Sequence, residues 1–144
     1  MPRDEARRWL SEAKWDYETA LILYKHSRWN AACFYAHQAA EKAVKALLYS
    51  INEAPWGHSI RVLLQHYFEL TGEKAPRRQE LLTHARELDR HYIPARYPNA
   101  HPPGTTPHEA YDEEAAKRAL RAAKIIIQYV EERLEEESED TERA

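Results

Sequence analysis

Apolar residues recur every three or four positions along most of this chain, which is the spacing of one buried helix face. The first segment of this kind spans residues 4–26, and Asp4 is expected to cap its start. Its apolar positions are Trp9, Ala13, Tyr17, Ala20, Leu21 and Tyr24. No segment alternates apolar and polar residues as a half-buried strand does, so the pattern predicts helices alone.

A second helix is predicted over residues 28–51, with Ser27 placed to cap it. Its apolar stripe is rich in alanine and comprises Ala32, Tyr35, Ala36, Ala39, Ala43, Val44 and Leu47. Small side chains on a buried face allow a neighbouring helix to approach closely. A neighbouring helix is therefore expected to pack closely on this face.

Three further helices follow. Ser59 is expected to cap a shorter helix over residues 60–70, which Gly72 ends. Pro76 fits the first turn of a fourth helix, whose buried face is predicted to contain Leu81, Leu82, Ala85 and Leu88. Asp112 begins the last helix, with the stripe Ala116, Leu120, Ala123, Ile127, Val130 and Leu134. Four long helices and one shorter helix predict an all-α, up-and-down bundle.

The length of 144 residues indicates one domain, which we place at residues 1–134. Charge is distributed unevenly: residues 131–144 carry eight acidic and two basic side chains, whereas residues 1–130 carry sixteen acidic and nineteen basic ones. Residues 135–144 are therefore expected to form an acidic, frayed tail. The tail either keeps the protein in solution or competes with an anionic ligand for the mildly basic body.

Several classes of protein are not expected from this composition. No apolar run approaches the roughly 18 residues of a membrane span, and the N-terminus lacks the apolar segment of a signal peptide. Cys33 is the only cysteine, which leaves no intramolecular disulfide and no cysteine metal cluster. A cytoplasmic protein that does not bind a membrane is the simplest interpretation.

The segment between the last two helices, residues 89–111, has a different composition from the rest of the chain. It holds five of the eight prolines, together with Arg96 and His101. An arginine presents a fork of donors that matches a phosphate, and a histidine transfers protons near neutral pH. The pair is a minimal set of groups for cleaving a phosphodiester. The alternative is a surface loop in which Arg96 packs its flat face on Tyr92 or Tyr97.

Three stretches, "RWNAACFYAHQAAEKAVKALL", "GHSI" and "LDRHYIPARYPNAH", resemble the HEPN domain family in their order and spacing. The resemblance extends from about residue 4 to residue 134 and implies a homodimeric helical bundle. In active members of that family, an arginine and a histidine four to six residues apart form a metal-independent RNase site. Arg96 and His101, with four residues between them, match this signature.

The resemblance implies a metal-independent endoribonuclease or an RNA- or nucleotide-binding protein that uses no cofactor. It also implies a toxin of a toxin–antitoxin pair, with a small nucleotidyltransferase as partner. The alternative is a non-catalytic homodimer that binds nucleotides or other proteins. Aromatic residues left outside the core would then contribute to the interface between the two copies.

Other residues are candidates for supporting roles. Asp89 and Arg90 either pair at the helix end or orient Arg96, and Tyr97 lies next to Arg96 in the chain. The resemblance makes Lys42 a possible phosphate contact. We expect Glu41 and Lys45 to form an ordinary surface pair, four residues apart on a helix.

Histidines elsewhere in the chain have simpler interpretations. His58 is expected to cap or pack at the start of the third helix. Four histidines lie in the fourth helix and the loop after it, namely His84, His91, His101 and His108. No two of these four are four residues apart, which is the spacing of two metal ligands on one helix face. No metal site is expected.

Overall fold

Helices make up most of the chain in the computed structural model, which describes the backbone of residues 2–143 and the side chains of residues 2–140. The helices are α1 (Pro2–Lys25), α2 (Trp29–Ser50), α3 (Ile60–Thr71), α4 (Arg77–Asp89), α5 (Pro107–Ala110) and α6 (Glu113–Arg143). A single 3₁₀ turn, Pro98–Ala100, lies between α4 and α5. Within residues 2–143 no strand is formed, and the predicted all-α bundle is confirmed.

Helix α2 lies at the centre of the bundle and packs against α1, α3, α4 and α6. Its alanine stripe is fully buried, as predicted, at Ala32, Ala36, Ala39 and Ala43. Tyr35 was placed in the same stripe and is instead 36% exposed. The small buried side chains bring the backbones of α1 and α6 close to α2, so most of the core forms along this helix.

Local signals predicted some helix ends correctly. Ser59 accepts a hydrogen bond from the amide of Val62, and Gly72 takes the left-handed conformation that ends α3. Asp112 accepts a hydrogen bond from the amide of Ala115 and caps α6. Two predicted caps were wrong: α1 already begins at Pro2, before Asp4, and Ser27 has a φ of 60° in a turn that precedes the true N-cap, Arg28.

Helices α4 and α6 run antiparallel, because Glu87 contacts Arg118 while Arg77 contacts Glu132. Helix α6 continues through residues 135–143, so the structure includes the acidic segment in the helix. The domain boundary at residue 134 and the fraying of the segment beyond it stay predictions. None of the helices in residues 2–143 is long and apolar enough to cross a membrane.

Candidate functional site

The proline-rich segment forms a folded turn, fixed by its own main chain. The amide of Ala95 donates to the carbonyl of His91 at 3.3 Å, and the amide of Tyr97 donates to the carbonyl of Ile93 at 3.2 Å. Asn30, near the start of α2, donates its side-chain amide to the carbonyl of Ala95 at 3.0 Å. The middle of the turn is therefore attached to the first turn of the central helix α2.

Arg96 is held in this turn by aromatic rings from three directions. Its Cζ lies 4.5 Å from the ring centre of Phe34, 4.6 Å from that of Tyr92 and 4.9 Å from that of Tyr97. Its Nε donates to the carbonyl of Tyr92 at 2.9 Å, and its Nη1 lies 3.4 Å from the hydroxyl of Tyr97. The expected packing on Tyr92 or Tyr97 is therefore present with both rings. The cation is oriented by π-faces, and among the residues with described side chains no carboxylate neutralises it.

His101 is oriented by a main-chain carbonyl. Its Nε2 lies 2.6 Å from the carbonyl oxygen of Pro94, and its ring meets the ring of Tyr111 edge to face at 6.4 Å. Because a carbonyl oxygen only accepts, Nε2 carries the proton of the neutral ring. The lone pair of that ring is then on Nδ1, which has no hydrogen-bond partner among the described side chains and backbone groups.

Arg96 and His101 thus bind carbonyls two residues apart, those of Tyr92 and Pro94. No hydrogen bond joins the two side chains to each other within the described part of the chain. The fold brings a fixed cation and a histidine with a free nitrogen to the same turn. An arginine binds phosphate oxygens and a histidine transfers protons, so the two kinds of group that such chemistry uses lie on one turn.

Asp89 anchors the start of this segment. Its carboxylate accepts hydrogen bonds from the amides of Ile60 at 2.8 Å and Arg61 at 3.0 Å, from the hydroxyl of Ser59 at 3.0 Å, and from Nε2 of His37 at 3.1 Å. Burial alone would raise the pKa of Asp89, but these hydrogen bonds, that of His37 first, hold the pKa below its usual value. Asp89 is thus a charged acceptor that joins the end of α4 to the start of α3.

The ion pair expected between Asp89 and Arg90 is not formed. Arg90 contacts Glu87 instead, at 3.4 Å and one helical turn back along α4. The physical reason is that Asp89 already accepts four hydrogen bonds, three from the start of α3 and one from His37 of α2. Arg90 is left exposed at the beginning of the loop.

Lys42 and Glu41 lie apart from the turn. The ammonium of Lys42 pairs with Asp16 of α1, and within the described residues no contact joins it to residues 89–111. Glu41 does pair with Lys45, at 3.1 Å, but the predicted surface location was wrong because Glu41 is 4% exposed. The second partner of the buried Glu41 carboxylate is Nδ1 of His58, at 3.2 Å.

Tyr92 was anticipated as a packing partner of Arg96, but its contacts with His37 and His58 were missed by sequence reasoning. Its ring stacks on His58 at 5.0 Å and 17°, contacts His37 at 5.1 Å, and lies against Arg96. The predicted packing role of His58 is therefore present. A signal for this cluster was available: His37 and Glu41 are polar residues four apart within an alanine-rich buried helix, where an uncharged face is the rule.

A second histidine, His91, lies buried behind the turn. Its Nδ1 is 2.8 Å from the hydroxyl of Tyr111, and its Nε2 is buried with no hydrogen-bond partner among the described residues. Burial lowers the pKa of His91 to about 4. The ring is therefore neutral near pH 7, and Tyr111 connects it to His101 through the ring contact described above.

Comparison with known proteins identifies a family that matches this chain over most of its length. A family model described as "HEPN domain" matches residues 6–133. None of the curated proteins compared with this chain matches it.

Three solved structures are similar to this chain. TT1696 from Thermus thermophilus has 36% sequence identity and a TM-score of 0.78, over 92% of this chain and 98% of that one. ST0689, an archaeal HEPN homologue, has 32% identity and a TM-score of 0.73, over 90% and 98%. The HEPN domain protein TM0613 from Thermotoga maritima has 35% identity and a TM-score of 0.68, over 89% and 98%.

Proposed function

We propose, since this chain belongs to the HEPN domain family, that it is a homodimeric, metal-independent endoribonuclease whose site is built on Arg96 and His101. The observation that carries the proposal is the geometry of the turn. Arg96 is held by three aromatic rings and His101 by the carbonyl of Pro94, and among residues 2–140 no carboxylate pairs with Arg96 and no group binds Nδ1 of His101.

In this reaction, Nδ1 of His101 takes the proton of a ribose 2′-hydroxyl. The 2′-oxygen attacks the adjacent phosphorus, and the bond from phosphorus to the 5′-oxygen of the next nucleotide breaks. The products are a 2′,3′-cyclic phosphate and a 5′-hydroxyl. Arg96 binds the non-bridging oxygens of the phosphate and stabilises the charge that grows on them. The 5′-oxygen leaves with a proton, so a second group must act as the acid.

The group that acts as the acid is the partner subunit's His101 in our proposal. A two-fold dimer presents the same surface twice, so a turn at the interface would place two copies of the pair together. Exposed apolar side chains on and beside the turn support an interface here, namely Tyr35, Ile93 and Tyr97, which are 36%, 45% and 47% exposed. Aromatic and apolar residues of this kind are typical of the cores of interfaces.

The alternative is a non-catalytic module that binds RNA or a nucleotide. The rings around Arg96 favour this function, since the exposed ring of Tyr97 offers a surface on which a base stacks while Arg96 binds its phosphate. The role of toxin, with a small nucleotidyltransferase as partner, extends the proposal and rests on family membership alone.

The test compares wild type, His101→Ala and His108→Ala on a mixture of structured and unstructured RNA in the presence of EDTA. His108 is an exposed histidine of the same segment and provides a matched control. We expect His101→Ala to lower the rate by about 10²- to 10⁴-fold and His108→Ala to leave it unchanged. Equal cleavage by all three proteins would identify a contaminating nuclease. Binding without cleavage by any of them would favour the non-catalytic module.

A further inference from the structure

A groove between the C-terminal end of α4 and the first half of α6 collects four arginines. Its lining residues are Thr83, His84, Arg86, Glu87, Arg90, Arg118 and Arg121. Arg86 and Arg90 are one helical turn apart on α4, about 6 Å along its axis, and Arg118 and Arg121 are one turn apart on α6. The antiparallel helices therefore present two rows of guanidinium groups to each other across the groove.

Of the described residues that line the groove, Glu87 alone carries a carboxylate. Glu87 contacts Nε of Arg118 at 3.2 Å and Nη1 of Arg90 at 3.4 Å, one with each of its oxygens. Arg86 and Arg121 are exposed, and neither has a carboxylate partner among the residues with described side chains. Four cations against one anion leave a local excess of positive charge, in a chain whose net charge is -3.

The chemistry of the groove matches a phosphate backbone. A guanidinium binds two phosphate oxygens at once, and successive arginines match successive phosphates. Among the described lining residues there is no phenylalanine, tyrosine or tryptophan, and the half-buried imidazole of His84 is the one ring on which a base could stack. A second copy of the groove is excluded as occupant, because a two-fold contact through it would oppose like charges.

The groove ends beside the Arg96 and His101 turn. Arg90 is followed directly by His91, whose Nδ1 is 2.8 Å from the hydroxyl of Tyr111, and the ring of Tyr111 contacts the ring of His101. We infer that the groove binds the phosphate backbone of single-stranded RNA, on one side of the phosphate that Arg96 holds. This inference rests on the proposed function for its ligand and adds a sequence-independent binding surface to it.

Binding of 2′-O-methylated single-stranded RNA, which lacks the hydroxyl needed for cleavage, provides the test. The groove variant is Arg86→Gln with Arg121→Gln, since these exposed arginines have no ion pair whose loss would unfold the chain. The matched control is Arg3→Gln with Arg7→Gln, which removes the same charge from a separate cleft near Leu134 and Glu135. Fluorescence anisotropy gives the affinity of each full-length protein over a series of salt concentrations.

We expect the groove variant to bind about tenfold or more weakly at low salt. Its slope of log K against log salt should also be shallower by about 1.4, because each of the two lost phosphate contacts on a single strand contributes about 0.7. The control should bind as wild type does. An equal loss in both variants would reduce the effect to net charge and overturn the inference. The inference would also be overturned if the groove variant bound RNA as tightly as wild type does, or if wild type did not bind RNA at all.

Two further arms separate this inference from the proposed function and from another class of partner. If His101→Ala abolishes cleavage of ordinary RNA while the groove variant binds RNA normally, the result supports the nuclease proposal and contradicts the inferred role of the groove. If wild type does not cleave RNA but the groove variant still binds RNA more weakly than wild type, the result contradicts the nuclease proposal and supports the inferred role of the groove. Polyglutamate that displaces the RNA as effectively as unlabelled RNA does would indicate an acidic protein segment as the ligand and overturn the assignment to RNA.

Discussion

His37 and Asp89 form a 3.1 Å hydrogen bond between the centre of α2 and the end of α4. His37 is completely buried, and its Nε2 donates to a carboxylate that also accepts the first amides of α3. Three helices therefore meet at a single acceptor, one residue before the loop begins. The position of the Arg96 turn depends on this junction, because Arg90, His91 and Tyr92 follow Asp89 directly in the chain.

Replacing Asp89 with Asn should lower the free energy of unfolding by about 1 to 3 kcal/mol, which is typical when a part-buried hydrogen-bond donor loses its acceptor. An asparagine side chain has the same shape as aspartate but only one acceptor oxygen, whereas the donors around Asp89 use both carboxylate oxygens. Urea denaturation measures the effect. Asp112→Asn is the control, since Asp112 caps α6 at an exposed position where Asn is an equally good cap. Equal losses in the two variants would contradict the role of Asp89 as a junction.

Local signals predicted the helices well because each depends on residues close together in the chain. Ser59, Gly72 and Asp112 act on amides or backbone angles within three residues of themselves. Ser27 failed as a cap because its left-handed φ of 60° turns the chain before Arg28, and a serine pattern does not reveal that angle.

The candidate site could be predicted only in part. Arg96 and His101 were identified from their residue types and spacing, and the packing of Arg96 on tyrosine was foreseen as an alternative. Phe34, the third ring on Arg96, and His37, which binds Asp89, come from a helix more than 50 residues away. Contacts between such distant positions are set by packing of the whole bundle, which no local spacing encodes.

Arg96→Lys should lower the rate of RNA cleavage by about a hundredfold or more, as expected when a donor that stabilises transition-state charge is lost. A lysine keeps the charge but has no planar group to lie among three rings while donating to the carbonyl of Tyr92. Initial rates on RNA in EDTA provide the measurement. Arg78→Lys, at the start of α4, is the matched control. A rate for Arg96→Lys within a few-fold of wild type would show that charge alone suffices.

Wild-type protein should have twice the 16.9 kDa mass of one chain in light scattering. Ile93→Asp should convert it to a monomer, because a carboxylate in the centre of an apolar interface is costly to desolvate. Val62→Asp places the same charge on α3, at another exposed apolar position that is 50% exposed. This control should remain dimeric. Dissociation by Val62→Asp alone would place the interface on α3 and remove the basis for a composite site at the turn.

Acid should destabilise the protein through His91. The pKa of His91 is about 4 in the folded state because burial disfavours its charged form, against about 6.5 in an unfolded chain. The unfolded state therefore takes up the proton first, and the free energy of unfolding should fall by about 3 kcal/mol as the pH drops from about 6.5 to about 4. The pKa of Asp89 is lowered instead, so its stabilisation is lost only below its usual value of 3.8 and falls outside this range.

Urea denaturation across this pH range measures the contribution of His91 directly. His91→Gln removes the titrating ring, so the free energy of unfolding of this variant should depend much less on pH than that of wild type. His108→Gln changes an exposed histidine and should retain the wild-type dependence. His91→Gln will also lose some stability at every pH, because the contact with Tyr111 is altered. The informative quantity is therefore the slope against pH, and equal slopes in all three proteins would show that His91 is charged in the folded state.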